Sequence, residues 1–257
     1  MDRTVLITGA SSGIGKALSK LFAADGYHFV LVARSEGSLR QLAAELGGAY
    51  PVQAAVLVKD MSQHSAPDEI FAELQSLGVT VDVLVNCAGY GTHSRFDRSD
   101  LADELAMIQV NATSLVHLTR LFLPGMLERG FGRILSVGST GSFVPVPYMA
   151  AYGATKAFVL SFSEALSEEM KGTGVSVTAL CPGVTITGFQ ERAQVHGTAV
   201  LRGPVMSADE VALIGYKALM SGKVVVVPGA FNKLMTFAPR FVPRSLTRWL
   251  SARLLES

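Results

Sequence analysis

The chain has 257 residues, of which 49% are hydrophobic and 17% are charged, so it contains enough apolar material for a large buried core. Its formal net charge of +1 provides no overall positive field for binding nucleic acid, and no compact basic run appears outside the C-terminal tail. The two cysteines, Cys87 and Cys181, suit neither a disulfide framework nor a metal site, so we expect a cytoplasmic protein without a metal. A strand-like run begins at Thr4, so we expect no signal peptide, and the sequence predicts no membrane-spanning helix.

Short β-branched runs alternate along the chain with longer segments of helical periodicity. The runs predict strands at residues 4–8, 28–33, 52–59, 81–86, 133–137, 175–180 and 224–227. The longer segments predict helices at residues 14–25, 39–46, 67–77, 101–129, 148–171 and 208–220. Ser207 and Glu210 stand at capping-box spacing before the last of these. The alternation indicates one α/β domain over residues 1–230, with helices covering both faces of a seven-stranded parallel sheet.

A glycine-rich loop separates the first predicted strand from the first predicted helix. Its sequence is Thr-Gly-Ala-Ser-Ser-Gly-Ile-Gly over residues 8–15, and its glycines allow the backbone to turn sharply and approach a ligand. The following helix directs its free N–H groups to the same place, which suits a pyrophosphate. The residues predicted to bind it are Gly9, Ser11, Ser12, Gly13 and Gly15. A turn that only opens a helix is the alternative interpretation.

The end of the second predicted strand indicates which dinucleotide is bound. An acidic residue commonly stands there to hold the ribose 2′-hydroxyl of NAD, but here Arg34 and Ser35 follow Ala33. A guanidinium can hold the 2′-phosphate of NADP in a bidentate contact, and Ser35 can add a hydroxyl. NADP is therefore predicted over NAD. Glu36 follows directly, and a solvated arginine at a helix start is the alternative.

Asp60 and Met61 follow the third predicted strand, where the adenine ring of such a cofactor would lie. The carboxylate can accept a hydrogen bond from the adenine amino group, and the methionine can cover the ring. The alternative is a loop aspartate that turns the chain.

Tyr152 and Lys156 are four residues apart in a predicted helix and so share one face of it. A phenol titrates near pH 10, and a neighbouring cation favours its ionised form, which lowers the pKa toward the working pH of a proton donor. Ser139 follows the fifth predicted strand, at the sheet edge where ligands bind, and its hydroxyl can hold a substrate oxygen. Ordinary turn chemistry at Ser139 and an exposed helical Tyr-Lys pair are the alternatives.

With the glycine loop, Ser139, Tyr152 and Lys156 in this order, the chain resembles the short-chain dehydrogenase/reductase family over residues 4–227. The resemblance implies a doubly wound Rossmann-type fold and hydride transfer to or from a carbonyl or alcohol carbon. It also implies that Tyr152 is the acid/base and that Ser139 orients the carbonyl. Lys156 would bind the nicotinamide ribose and lower the tyrosine pKa.

Further segments match the same family. Residues 86–89 read Asn-Cys-Ala-Gly where the family has Asn-Asn-Ala-Gly, so only the second position differs. Asn111 matches the helix asparagine that completes the proton relay by holding a water near the lysine, although a mid-helix asparagine can also bond to neighbouring backbone. The cofactor contacts that the resemblance adds are Ile14, Asn86, Ala88, Gly89, Pro182, Gly183, Thr185 and Thr187.

Two segments are expected to surround the substrate. The loop at residues 143–149 is mostly apolar and lies between Ser139 and Tyr152, and residues 188–206 form a long insertion that predicts a movable flap. Together they predict an apolar pocket and a hydrophobic substrate. Tyr90 and His93 are further candidates for substrate contact, with an ordinary loop histidine as the alternative.

The tail, residues 231–257, combines aromatic and aliphatic residues with five basic residues. From residue 244 onward its apolar residues share one helix face. Three interpretations follow: peripheral contact with a membrane, packing across a subunit interface, and packing over the pocket.

The sequence therefore predicts an NADP-dependent oxidoreductase that acts on a small-molecule carbonyl or alcohol. A nucleotide-sugar epimerase shares the Tyr-Lys pair but has a GxxGxxG loop, whereas this loop is GxxxGxG. A non-catalytic NADP-binding regulator on the same fold is the second alternative. The family resemblance also implies a homodimer or homotetramer.

Overall fold

The computed structural model describes residues 3–193 and 203–256, with a parallel β-sheet at the centre. Its strands are β1 (Thr4–Thr8), β2 (His28–Ala33), β3 (Ala54–Val58), β4 (Val83–Asn86), β5 (Gly132–Val137), β6 (Val175–Leu180), β7 (Thr185–Ile186), β8 (Met206–Ser207) and β9 (Val225–Val226). Its helices are α1 (Gly13–Ala24), α2 (Glu36–Ala49), α3 (Ala66–Ser76), α4 (Leu101–Ile108), α5 (Ser114–Glu128), α6 (Ala150–Glu169), α7 (Phe189–Ala193), α8 (Ala208–Met220), α9 (Ala230–Phe237) and α10 (Arg244–Leu255).

The main sheet has seven strands in the order β3-β2-β1-β4-β5-β6-β9, and all neighbouring pairs are parallel. The chain begins in the middle at β1, moves outward to β3, and returns to β4 on the other side of β1. This reversal opens a crevice at the carboxyl ends of β1 and β4, which is where sheets of this type bind ligands. The predicted doubly wound, seven-stranded parallel sheet is confirmed.

Apolar side chains cover both faces of the sheet. In β1, Val5 and Ile7 belong to the core cluster on one face, whereas Leu6 belongs to the cluster on the other. Phe22 of α1 lies in the first cluster and Phe122 of α5 in the second. Burying each such side chain contributes about 1.5–3 kcal/mol, which explains why the strands are apolar throughout instead of alternating.

Local hydrogen bonds set two of the helix starts. Before α8, the Ser207 hydroxyl accepts from the backbone N–H of Glu210 (3.2 Å), and the Ser207 N–H donates to the Glu210 carboxylate (2.9 Å). This is the capping box that the sequence predicts. Helix α2 begins three residues earlier than predicted, and in its first turn Glu36 forms an ion pair with Arg40 (2.7 Å).

The helix predicted over residues 101–129 is confirmed as a helical segment from Leu101 to Glu128, but a π-helical turn, Gln109–Thr113, separates α4 from α5. The turn contains Asn111, whose side chain bonds to the backbone of Tyr90 in both directions and to the Thr155 hydroxyl. These long-range bonds accompany the locally wider helix. Turns of this kind occur frequently at functional sites.

None of the helices within residues 3–193 and 203–256 has the length and apolar character that a bilayer crossing requires.

Candidate active site

The glycine loop forms one wall of a cleft at the carboxyl ends of the strands. Gly13 has a positive φ of 51°, which favours glycine, and a Cβ on Gly15 would collide with the carbonyl oxygen of Gly9. The loop therefore closes tightly on itself and brings the N-terminus of α1 to the cleft. Of the residues predicted in this loop, Gly15 does not line the cleft; it shapes the turn from behind. Those that do line it are Gly9, Ser11, Ser12, Gly13 and Ile14.

The residues after β2 border the same cleft. Arg34 and Ser35 line it and are exposed, and Arg34 forms no ion pair with any residue in the described part of the chain. Glu36 instead pairs with Arg40, so its carboxylate is not directed to Arg34. The guanidinium is available to an anionic ligand.

Asp60 and Met61 also line the cleft, but both have structural contacts. The Asp60 carboxylate accepts from the backbone N–H of Ser62 (3.0 Å), which is the chain-turning alternative considered above. Met61 is only 5% exposed and packs in the core with Ile70 and Leu74. Only a small part of Met61 is left to contact a ligand.

Thr8, at the end of β1, connects the two sides of the crevice. Its hydroxyl donates to the carbonyl of Val85 (3.3 Å) and accepts from the backbone N–H groups of Cys87 and Ala88 (3.1 Å each). The segment after β4 is thereby held beside the glycine loop. The sequence analysis assigned no role to Thr8; its position as the last strand residue before the glycine loop was the available signal.

The predicted contacts at residues 86–89 divide into two groups. Ala88 and Gly89 line the cleft, whereas Asn86 is buried behind it and donates to the Thr119 hydroxyl (3.2 Å). Contrary to the prediction, Asn86 does not border the cavity, because its side chain joins β4 to α5.

Ser139, Tyr152 and Lys156 lie together at the other end of the cleft. All three line the cavity, where the Ser139 hydroxyl accepts a hydrogen bond from the backbone N–H of Gly141 (3.0 Å). Lys156 lies one helical turn from Tyr152, with its ammonium 5.8 Å from the centre of the ring. That ammonium donates to the carbonyl of Val137 at the end of β5 (2.9 Å). The strand end and one face of α6 thus hold the three side chains in place.

Burial dominates the ionisation of this group. It raises the pKa of the Tyr152 phenol to about 12, although the nearby Ser139 side chain acts to lower this pKa, and it lowers the pKa of Lys156 to about 8. The sequence predicted a tyrosine pKa lowered by the lysine. For the side chains of this chain alone that direction is wrong, because the loss of water disfavours the charged form of each group.

Asn111 lies behind this group and does not line the cavity. Its amide donates to the carbonyl of Tyr90 (2.8 Å) and to the hydroxyl of Thr155 (3.2 Å). A Cβ placed on Gly89 would lie 3.0 Å from the Asn111 side-chain oxygen and 3.3 Å from the Lys156 nitrogen. Asn111 and Lys156 therefore approach each other across Gly89, and the proton-relay role of Asn111 stays a prediction.

The predicted apolar loop and flap both reach the cavity. From the loop, Val144, Pro145, Val146 and Met149 line it. From residues 182–193 and 203–204, the lining includes Pro182, Gly183, Thr185, Thr187, Phe189 and Pro204. The base of the flap is closed by the parallel pairing of β7 with β8. The remainder of the predicted flap, residues 194–202, lies outside the described residues.

Tyr90 lines the cavity, but His93 does not. The Tyr90 hydroxyl donates to the Asp103 carboxylate (2.9 Å), and the Arg192 guanidinium lies 4.2 Å from the centre of its ring. A ring nitrogen of His93 is 2.9 Å from the carbonyl oxygen of Leu255. The substrate contact considered for His93 is therefore wrong, because that side chain is bonded to the end of the tail.

The tail packs over the pocket. Leu255 is buried in a cluster with Met107, Met149 and Tyr152. Its other cavity-lining residues are Phe231, Asn232, Met235, Thr236, Ala238, Pro239, Val242, Thr247, Leu250, Ser251 and Leu254. Among these, Asn232 contacts Gly183 so closely that a Cβ on Gly183 would collide with it. Asn232 was not predicted, since nothing in the tail pattern distinguishes this residue.

These walls enclose a cavity of 1190 Å³ that runs from Arg34 to the tail. Single-ligand pockets usually measure about 300–1,000 Å³, so the cavity has room for a dinucleotide and a second molecule. One end of the cavity fits a phosphate-bearing cofactor. It is formed by the close glycine turn, the N-terminal N–H groups of α1, and Arg34, which has no ion-pair partner in the described chain. The Ser139–Tyr152–Lys156 group fits a carbonyl or alcohol at the other.

Comparisons with known proteins agree with this geometry. The profile of the short chain dehydrogenase family matches residues 3–196. Sulfoacetaldehyde reductase 2 of Chromohalobacter salexigens is 37% identical over 234 residues, covering 88% of this chain and 92% of the relative. The NADP-dependent 3-hydroxy acid dehydrogenase YdfG of Escherichia coli is 36% identical over 182 residues, which cover 70% of this chain and 71% of the relative.

Two solved structures are similar over nearly their whole length. A short-chain dehydrogenase from Sphingobium yanoikuyae in complex with NADPH has a TM-score of 0.84 and 30% identity, and the match covers 99% of this chain and 97% of that one. A 7β-hydroxysteroid dehydrogenase has a TM-score of 0.88 and 26% identity, with 97% and 96% covered.

Proposed function

The chain belongs to the short-chain dehydrogenase/reductase family, an oxidoreductase family that acts on alcohols and carbonyls, and we propose that it is an NADPH-dependent reductase of hydrophobic carbonyl compounds. The observation that carries the proposal is the convergence of Ser139, Tyr152 and Lys156 on the cavity that the glycine loop also lines. A hydroxyl, a phenol and an ammonium in one pocket can bind a carbonyl oxygen and protonate it.

Arg34 supports NADPH as the cofactor. Its guanidinium is exposed at the cleft without an ion-pair partner in the described chain, and the neighbouring acid, Glu36, is engaged by Arg40. A similar protein of solved structure was crystallised with NADPH, and a relative in Escherichia coli is named as NADP-dependent. When bound, NADPH supplies the hydride for the carbonyl carbon. The glycine loop, Ala88, Gly89, Pro182, Gly183, Thr185 and Thr187 would hold it along the cleft.

The protein groups then handle the oxygen of the substrate. Ser139 donates a hydrogen bond to the carbonyl oxygen and orients it toward the phenol. Tyr152 gives its proton to that oxygen as the carbon is reduced. Because burial raises the pKa of Tyr152 to about 12, the phenol carries its proton near neutral pH and can donate it.

Lys156 acts on the same proton through its charge, which lies 5.8 Å from the centre of the Tyr152 ring. Its ammonium, held by the carbonyl of Val137, favours the negative charge that forms on Tyr152 when the proton leaves. Asn111, across Gly89 from the ammonium, positions the segment that contains Tyr90 and would complete the path by which the proton is replaced.

The walls on the substrate side support a hydrophobic substrate. Val144, Val146, Met149 and Phe189 surround the space beside Tyr152, and the tail adds Leu250 and Leu254. Burial of an apolar chain against them contributes about 0.8 kcal/mol per CH₂ group.

A substrate and cofactor panel tests the proposal. NADPH oxidation is measured with aldehydes and ketones of increasing chain length, and each is repeated with NADH and with Arg34→Ser protein. We expect kcat/KM to rise with chain length. The Arg34→Ser change should weaken NADPH binding about 10-fold to 100-fold, since a charge-assisted hydrogen bond contributes about 1.5–3 kcal/mol. The affinity for NADH should change little. NADPH binding without turnover of any carbonyl would favour the alternative, a non-catalytic regulator.

A further inference from the structure

Exposed apolar side chains are concentrated in the tail. Of the 22 large hydrophobic residues that are exposed in the described chain, ten lie between residues 231 and 254, so a tenth of the chain carries almost half of them. We define them as the tail face: Phe231, Leu234, Met235, Phe237, Phe241, Val242, Leu246, Trp249, Leu250 and Leu254. Phe241 is 74% exposed and Trp249 is 54% exposed. Apolar concentrations of this kind mark interaction sites.

The charges in the tail are nearly all positive. Residues 231–256 contain five basic residues and a single acidic one, Glu256. The basic residues are Lys233, Arg240, Arg244, Arg248 and Arg253, and all five are exposed. Throughout residues 3–193 and 203–256, no carboxylate pairs with any of them. Instead, the Arg240 and Arg253 guanidinium groups each lie 5.7 Å from an exposed aromatic ring, those of Phe237 and Trp249.

We propose that the tail face docks on the surface of an anionic phospholipid bilayer. Helical segments with Trp, Phe and Leu beside unpaired Lys and Arg have the composition that inserts at the headgroup boundary, where the apolar side chains are buried and the cations meet lipid phosphates. The pattern in α10 is consistent with this, since Leu246, Trp249, Leu250 and Leu254 follow a helical spacing along one side.

A second copy of the chain suits this face less well. Two such faces in contact would bring ten cations together with only two carboxylates from Glu256, and like charges brought close together repel. The described chain also has exposed apolar side chains elsewhere that are open to self-association, among them Leu101 and Leu105 of α4 and Phe158 of α6.

The docked orientation has a consequence for the substrate, and this step rests on the proposed function. Phe231, Met235, Val242, Leu250 and Leu254 belong both to the tail face and to the lining of the cavity. In the docked orientation these five residues therefore border the cavity and the bilayer at the same time. A carbonyl compound dissolved in the lipid could enter between α9 and α10 without crossing water, so the substrate class that fits is a membrane-partitioned aldehyde or ketone.

Vesicle flotation of the full-length protein tests the docking. The wild-type chain is mixed with vesicles of phosphatidylcholine alone or of phosphatidylcholine with phosphatidylglycerol. We expect binding to the anionic vesicles that weakens with added salt and falls about fivefold for each of Arg244→Gln and Arg248→Gln. The double variant Phe241→Glu/Trp249→Glu should bind at least about tenfold more weakly.

A matched control uses Leu77→Glu/Phe96→Glu, which places the same two charges on exposed apolar positions outside the tail and the cavity. It should bind like the wild type. Absence of wild-type flotation, equal flotation with neutral vesicles, or equal flotation of the tail variant would each overturn the proposal. A shift of the tail variant from oligomer to monomer in sedimentation, without wild-type vesicle binding, would assign the face to self-association instead.

A soluble assay separates this result from the proposed function. Neither Phe241 nor Trp249 lines the cavity, so the tail variant should reduce a water-soluble aldehyde at the wild-type rate. Loss of vesicle binding with that activity retained supports docking. Vesicle binding by a wild-type protein that reduces no carbonyl would leave the docking intact and reject the proposed function alone.

Discussion

Tyr152 and Lys156 are two ionisable side chains, one helical turn apart, and both are buried. Burial raises the pKa of the phenol to about 12 and lowers that of the ammonium to about 8, so both pKa values depart from their ordinary values in the direction that favours the neutral form. Near neutral pH the phenol therefore keeps its proton and most of the lysine keeps its charge. This is the protonation state that a reductase needs before it donates a proton.

The pH dependence of activity should follow Lys156. Its pKa in the folded protein is about 8, below the ordinary value of 10.5, so the ammonium is present below pH 8 and is lost as the pH rises through that value. We expect kcat/KM for carbonyl reduction to fall above about pH 8. In Lys156→Arg the falling limb should move to higher pH, because a guanidinium stays protonated.

Lys171→Arg is the control for this measurement, since Lys171 is an exposed residue paired with Glu168. Its pH profile should match that of the wild type. A falling limb at the same pH in Lys156→Arg as in the wild type would show that another group controls the profile.

At the residue scale, sequence reasoning predicted positions better than energies. The strand ends and the helix spacing were enough to bring Ser139, Tyr152 and Lys156 to one cavity. For the side chains of this chain alone, the predicted direction of the Tyr152 pKa shift was wrong, because this shift depends on how completely the surrounding loop and tail exclude water. Neither segment has a sequence pattern that measures burial.

At the scale of secondary structure, the bounds of β1, β2 and β6 match their predicted ranges. These strands are buried on both faces, so their apolar runs begin and end where the strands do. The π-helical turn at Gln109–Thr113 was not predictable in the same way, because apolar residues continue at helical spacing from α4 into α5. Only the contacts of Asn111 with the segment after β4 reveal it.

The turn between β1 and α1 should tolerate no side chain at Gly15. A Cβ there meets the backbone carbonyl of Gly9, which cannot move without opening the loop that borders the cofactor cleft. We expect Gly15→Ala to lower the free energy of unfolding by about 1–3 kcal/mol and to weaken NADPH binding at least about tenfold. Thermal unfolding and fluorescence titration with NADPH measure the two effects.

Gly48→Ala is the matched control, because Gly48 lies in α2 and a Cβ there meets nothing within 4 Å. Alanine in place of a helical glycine should stabilise the protein by up to about 1 kcal/mol and leave NADPH affinity unchanged. If Gly15→Ala bound NADPH as tightly as the wild type, the close approach of the loop would not be required for the cofactor.

At the scale of the whole molecule, the tail and the sheet build one pocket between them. The sequence left three partners open for residues 231–257, because an amphipathic pattern identifies an apolar face without identifying what it contacts. The structure places Leu255 against Met107, Met149 and Tyr152, so the end of the chain closes the substrate side of the cavity. His93 bonds to the Leu255 carbonyl and fixes that end.

Release of the tail should therefore weaken substrate binding more than cofactor binding. Leu255→Asp places a charge in the apolar cluster beside Tyr152 and should raise KM for a hydrophobic carbonyl about tenfold or more, since burying one leucine contributes about 1.5–3 kcal/mol. The dissociation constant of NADPH should change little. Leu77→Asp, at a position 59% exposed, should alter neither value. An unchanged KM in Leu255→Asp would mean that the tail does not close the pocket in solution.

The most direct test of the account is the rate of carbonyl reduction at saturating NADPH and substrate in Tyr152→Phe. Removing the hydroxyl leaves the ring in its cluster but takes away the proton, so kcat should fall at least about 100-fold while the dissociation constant of NADPH stays near the wild-type value. Tyr50→Phe, at a tyrosine outside the cavity, should keep the wild-type kcat. Equal kcat values in Tyr152→Phe and the wild type would contradict the assignment of Tyr152 as the proton donor.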